Sequence, residues 1–163
     1  MRASARVLIL FLTSALLGGC SGPPVDLRQA LEIDIVGTGW YDVGIVDGKN
    51  KLVPTVSFTV KNLSEEELVS LQMMASFFRV NDTSSEWGNN LVKAAGSPGL
   101  GPGATTPVLT IRSPLGYTGT EPRADMLKNS HFVDATVKLV AKYAAIQWTH
   151  VKEVPIDRQL VTQ

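Results

Sequence analysis

Cysteine is nearly absent: Cys20 is the one thiol in 163 residues. Small exported chains often depend on paired cysteines, but no internal disulfide can form here. Histidine is also scarce, with only His131 and His150, and neither H-x-H nor H-x-x-x-H spacing occurs. A metal centre would need a third ligand and supporting groups around it, so no metal and no cofactor is expected. An excess of one charge is lacking too. Fifteen basic residues balance fifteen acidic ones, and without a long basic run the chain has no electrostatic footprint for nucleic acid. Catalytic signatures are missing as well. No serine sits in G-x-S-x-G or S-x-x-K, and Asp47 and Asp82 lack the oxygen-ligand spacing of a calcium loop. Gly37-Thr38-Gly39 has neither the third glycine nor the following helix of a dinucleotide fingerprint. Gly99, Gly101 and Gly103 bracket Pro102 and lead toward a strand rather than a phosphate-binding helix. Both glycine clusters are expected to be bends, and the chain is not expected to be an enzyme.

What is present begins at the amino end. Residues 1–6 (MRASAR) are short and basic, and residues 7–17 (VLILFLTSALL) are apolar. That run is well short of the roughly 20 residues a spanning helix needs and fits the order of a secretory signal peptide. Gly18 and Gly19 are small enough for an extended backbone to enter a narrow protease cleft, and Cys20 follows at once. Leu17-Gly18-Gly19-Cys20 resembles the lipobox of bacterial lipoproteins. The resemblance implies diacylation of the thiol, with palmitate-like chains, and cleavage that makes residues 1–19 a removed leader. Each buried methylene contributes about 0.8 kcal/mol, so two or three acyl chains hold firmly where one is reversible. Lipidation also disposes of the unpaired thiol. Ser21 rather than Asp after the cysteine favours the outer membrane where a cell has two. Residues 20–30, with Gly22-Pro23-Pro24, read as the lipidated terminus and a semi-rigid tether.

Residues 31–163 read as one all-β domain. Leu31–Trp40, Pro54–Asn62, Val69–Val80, Pro107–Ser113, Phe132–Tyr143 and Ala145–Val154 alternate with a period near two and favour β-branched and aromatic side chains. The predicted inner faces include Val56, Phe58 and Val60, then Leu71, Met73, Ala75 and Phe77, then Val133, Ala135, Val137, Leu139 and Ala141. Turns are expected at Asp47–Asn50, Asn81–Ser85 and Ser97–Gly103. One short helix is expected over Arg123–Asn129, with Thr120 as its cap and Pro122 near its start. Ser64-Glu65-Glu66-Glu67 matches a capping box in form but lies between strong strands, and is read as a solvated turn. Strands joined by short loops, with no alternating helices, indicate an antiparallel two-sheet sandwich.

Phe58-Thr-Val-Lys-Asn62-Leu-Ser64, Phe77-Phe78 followed by Asn81-Asp82, and Leu100-Gly-Pro102-Gly103 resemble the bacterial immunoglobulin-like sandwiches of the FxLyD kind over residues 54–112. The resemblance implies an immunoglobulin-like β-sandwich and an accessory or interaction module, and brings no catalytic residues. The Gly-rich loop at 96–103 and the tail from Gly116 to Gln163 depart from that pattern. Physical reasons for the turns stand beside it: Asn62 can bond neighbouring backbone, and Pro102-Gly103 preorganises a reversal.

Trp40, Tyr41, Trp87 and Tyr117 are expected in or beside loops, with Trp148 inside a strand. Loop aromatics at one end of a sandwich are candidates for partner binding; the plainer expectation is that the rings plug the sandwich ends. The leading functional expectation is a membrane-anchored envelope module that binds another envelope protein, through a strand edge or end loops. The alternative is an envelope hydrolase or carbohydrate-active domain using acids such as Asp42 or Asp47 near Trp40. That alternative requires two clustered carboxylates in a concave pocket. A purely structural assembly part would instead show a large exposed apolar patch.

Overall fold

A computed structural model describes residues 25–144 and 147–162. The leader, Cys20 and the Gly-Pro-Pro part of the tether lie outside the described residues. The elements run α1 (Leu27–Ala30), β1 (Leu31–Val46), β2 (Lys49–Asn62), β3 (Gln72–Arg79), β4 (Asp82–Lys93), β5 (Leu109–Arg112), β6 (Tyr117–Gly119), α2 (Arg123–Met126), β7 (Ala135–Lys142), β8 (Thr149–Pro155) and β9 (Leu160–Val161).

Two sheets form, one in the order β5-β2-β1-β9 with β6 also on β2, the other in the order β4-β3-β7-β8. All pairings are antiparallel except the short parallel contact of β9 with β1. After the β1–β2 hairpin the chain crosses to the second sheet for β3–β4. It returns so that β5 lies on β2, and crosses again so that β7 lies on β3. These interlocked crossovers are the Greek-key connectivity of an immunoglobulin-like sandwich.

The alternation seen in the sequence fills the space between the sheets. Val56, Phe58 and Val60 of β2 face Met73, Ala75 and Phe77 of β3 and Ala135, Val137, Leu139 and Ala141 of β7, and all are fully buried. Each large side chain removed from water in this way contributes about 1.5–3 kcal/mol. Val133 is the exception to the expected pattern, because β7 begins two residues later and leaves it half-buried.

Several boundaries differ from expectation, each for an identifiable reason. β1 and β2 extend to the turn at Asp47-Gly48, where φ values of 50° and 74° give the paired left-handed residues of a tight hairpin. The extension is masked in the sequence by two bulges, between Ile35 and Gly37 and between Asp42 and Gly44. An inserted residue resets the two-residue period, so Val36 and Val43 are exposed although their strand is continuous.

Asn81–Ser85 is a turn only at its start, and Asp82–Lys93 forms β4. That strand is an edge, mostly polar, held mainly by its ladder to β3 and reaching the core only through Trp87 and Val92. The expected helix is present as the single turn α2, but its cap position is Pro122 rather than Thr120. The packed domain also starts before Leu31. Asp26 caps α1 by accepting from the Arg28 N–H at 3.0 Å, and Leu27 and Ala30 are buried. Residues 25–30, assigned to the tether from sequence, therefore belong to the domain. The last strand, expected from Ala145, is β8; Ala145 lies outside the described residues, and Trp148 precedes the strand, partly exposed.

Candidate functional site

Strand directions sort the molecule into two ends. The start of β1, the loops at residues 63–71 and 94–108, and the start of β8 share the end where the tether enters. The β1–β2 turn, β6, α2 and the segment before β7 share the far end.

Trp40 is not in a loop. It sits within β1, points between the sheets and is fully buried. The structure brings it together with Trp87 of β4 and Tyr117 of β6, at centroid distances of 6.0 Å and 5.7 Å. Phe132 completes the group, 4.6 Å from Trp40 edge-on and 4.4 Å from Tyr117 in a stack. Tilted and edge-to-face rings at these distances attract beyond their buried area. The Tyr117 hydroxyl accepts from the Val133 N–H at 2.6 Å, fixing the ring against the segment that leads into β7. These three sequence candidates thus form a plug closing the far end of the core. Tyr41, one residue on from Trp40, falls on the opposite face of β1 and lies under the Arg112 guanidinium at 3.6 Å. It takes no part in the plug.

Arg158 locks the plug from outside. It bonds the Asp134 carboxylate, with Nη2 to Oδ2 at 3.2 Å, donates to the carbonyls of Phe132 and Leu127, and stands over the Phe132 ring at 5.2 Å. The hydrogen bond to Asp134 raises the Arg158 pKa above its ordinary value, against a smaller opposing effect of desolvation. Next along the chain, Gln159 accepts from the Trp40 N–H at 2.8 Å, and its side chain donates to the Thr38 carbonyl. Replacing Arg158 with alanine is expected to lower Tm measurably and to speed hydrogen exchange at the Trp40 amide several-fold. Arg158→Lys is expected to restore little of this, since an ammonium cannot reproduce the fork. Unchanged exchange at Trp40 in Arg158→Ala would show that the latch does not hold the C-terminal strand.

A cavity of about 120 Å³ lies beside the plug, lined by Tyr117, Glu121, Met126, Asn129, His131 and Phe132. Pockets for small organic ligands are usually several times larger. His131 is exposed there, whereas His150 lies on β8, 3.9 Å from Glu153; the two histidines do not converge. No group of three or more metal-ligating side chains occurs among the described residues. Asp42 is ion-paired with Arg123 and accepts from the Gly44 N–H, while Asp47 occupies the hairpin turn. The two acids considered for hydrolysis are thus engaged separately, and Trp40 beside them is fully buried.

Sequence reasoning passed over the hairpin tip. Ile45 is 72% exposed, and Val43, Val46 and Leu115 beside it are also exposed. The available signal was an aliphatic run, Val43-Gly-Ile-Val46, ending directly on an Asp-Gly turn.

No family model matches the chain, and a search of curated proteins found no match. The class that the structure itself defines is an antiparallel immunoglobulin-like β-sandwich. Among the described residues no helix is long and apolar enough to cross a membrane.

Proposed function

We propose that this chain is a bacterial envelope lipoprotein, held on its membrane by acyl chains on Cys20, whose sandwich serves as a binding or accessory module for another envelope protein. The observation that carries the reading is the polarity of the domain. Val25, the first described residue, already lies against the core, five positions after Cys20 in the sequence. The exposed aliphatic tip stands at the other end of β1, whose 16 residues span about 50 Å at strand rise. An anchor at one end and an apolar surface at the other suit a module that reaches away from its membrane. The likeness to FxLyD-type domains, mostly accessory or interaction modules, supports the same reading, and Ser21 favours the outer membrane where there are two.

The test is Cys20→Ala in cells fed a labelled palmitate analogue. The variant is expected to lose the label and to leave the membrane fraction after a high-salt wash. Persistence in the washed membranes without label would show that something other than lipid holds the chain.

A further inference from the structure

The β1–β2 hairpin outruns the sheet opposite it. Its strands have 16 and 14 residues, whereas β3 and β7 across the core have 8 each. The ladder from Gly44–Lys51 to Val46–Lys49 therefore forms an overhang, which explains why aliphatic residues there stay exposed. Scattered exposed aliphatics are normal on a protein surface, but Val46 and Leu115 share the lining of one groove, while Ile45, paired with Asn50, falls on the other face of the hairpin.

Beside them runs a groove of about 380 Å³ between Val46, Lys49 and Lys51 of the hairpin and Leu115 and Thr118 of the facing segment. Lys51 donates to the Pro114 carbonyl at 3.0 Å. Neither lysine has a carboxylate at salt-bridge distance among the described residues. Asp47 is the single acid in the lining. The groove thus offers two aliphatic side chains, Val46 and Leu115, beside an excess of positive charge.

Its occupant can be narrowed by geometry and charge. On the lipoprotein reading the anchor joins the domain at the Leu31 end of β1, about 50 Å from the tip. A second copy using the same groove would bring the two lysines against themselves. A polypeptide segment carrying an apolar side chain next to a carboxylate fits both features, the first against Val46 and Leu115, the second between Lys49 and Lys51. We propose that the groove at the hairpin tip docks an acidic, apolar segment of a partner protein at the membrane-distal end of the domain. This rests on the binding-module reading and adds the site and the chemistry of the partner.

The experiment places a photo-crosslinking residue at Thr118, exposed on the groove rim, or at Thr105, exposed at the tether end, in the full-length chain in intact cells. Expected is an adduct at Thr118 only, whose crosslinked partner peptide, identified by mass spectrometry, contains acidic and aliphatic residues. Lys49→Glu/Lys51→Glu is expected to lower its yield about tenfold, as loss of close interfacial charge pairs does. Lys49→Arg/Lys51→Arg is expected to keep it, and circular dichroism checks that both variants fold. An adduct made only of this chain, an adduct with lipid alone, equal adducts at both positions, no adduct, or indifference to charge reversal would each overturn the proposal. The same crosslink is read in Cys20→Ala: failure of the variant to leave the membrane removes the lipid anchor but not the docking groove, and the converse result separates them the other way.

Discussion

Trp40→Ala is expected to destabilise the domain by about 3–5 kcal/mol, the range for truncating a large buried aromatic. The ring is fully buried and touches all three other members of the plug, as Tyr117 also does from its more exposed position. Its partners come from β4 in the second sheet, from β6, and from the segment entering β7, so one truncation loosens several elements at once. Against a total stability of about 5–15 kcal/mol, that loss would leave a substantial unfolded fraction in mild denaturant. Trp40→Phe is expected to cost much less than the alanine change. The Trp40 indole Nε1 is buried without a hydrogen-bond acceptor, so phenylalanine removes an unsatisfied donor, which offsets part of the void it leaves. Tyr41→Ala provides the internal comparison. That ring is only half-buried, and loss of its stacking under Arg112 should cost about 0.5–1 kcal/mol. Urea unfolding with a conserved slope measures all three. A cost for Trp40→Ala below that of Tyr41→Ala would mean that the plug does not hold the far end together.

Those adjacent residues show what the sequence could and could not disclose. Alternation in β2, β3 and β7 was legible because each of those strands has one face in the core, and burial imposes the two-residue period on their side chains. β1 has the same core face but carries bulges at Val36 and Val43, so counting by twos past them assigns residues to the wrong side. That is why the strand reads as ending at Trp40, with Trp40 and Tyr41 in or beside a loop, although one is sealed in the core and the other lies under Arg112. β4 was illegible for the opposite reason. An edge strand meets the core only through Trp87 and Val92, and its remaining polar residues carry no period at all. The plug depends on Tyr117 and Phe132 meeting Trp40 from distant parts of the chain, and no local pattern encodes such a meeting. The overhang, in turn, arises from a mismatch in strand length between two sheets, which neither sheet's sequence contains alone.

Asn62→Ala is expected to cost about 2–3 kcal/mol, out of proportion to the small volume removed. The side chain is fully buried and completely used. Its amide nitrogen donates to the carbonyls of Glu66 at 2.7 Å and Leu100 at 2.8 Å, and its oxygen accepts from the Ser64 N–H at 2.9 Å and hydroxyl at 2.7 Å. Its own backbone N–H and carbonyl pair with Ala104 and Gly103. One residue therefore joins the end of β2, the acidic turn and the Leu100–Gly103 reversal, which are sections of chain that the sequence shows only as separate turn signals. Each net hydrogen bond is worth about 0.5–1.5 kcal/mol, and both orphaned carbonyls keep a second donor: Leu100 still receives the Leu68 N–H, and Glu66 the Ser64 hydroxyl. Those residual bonds keep the expected cost below the sum of four. Asn62→Asp sharpens the test, because it keeps the acceptor while aiming a carboxylate oxygen at two carbonyls. Burial and those carbonyls should raise the new carboxyl's pKa in the folded state above its unfolded value of about 3.9. The charged form is then penalised at neutral pH, and the penalty should shrink as pH falls through the raised folded-state pKa, where the protonated acid can donate again. Relative to the parent protein, Asn62→Asp is thus expected to be least stable near about pH 7 and to recover toward about pH 4. A stability gap that stays constant over that interval would mean that the amide nitrogen of Asn62 does not make the bonds that tie these three turns together.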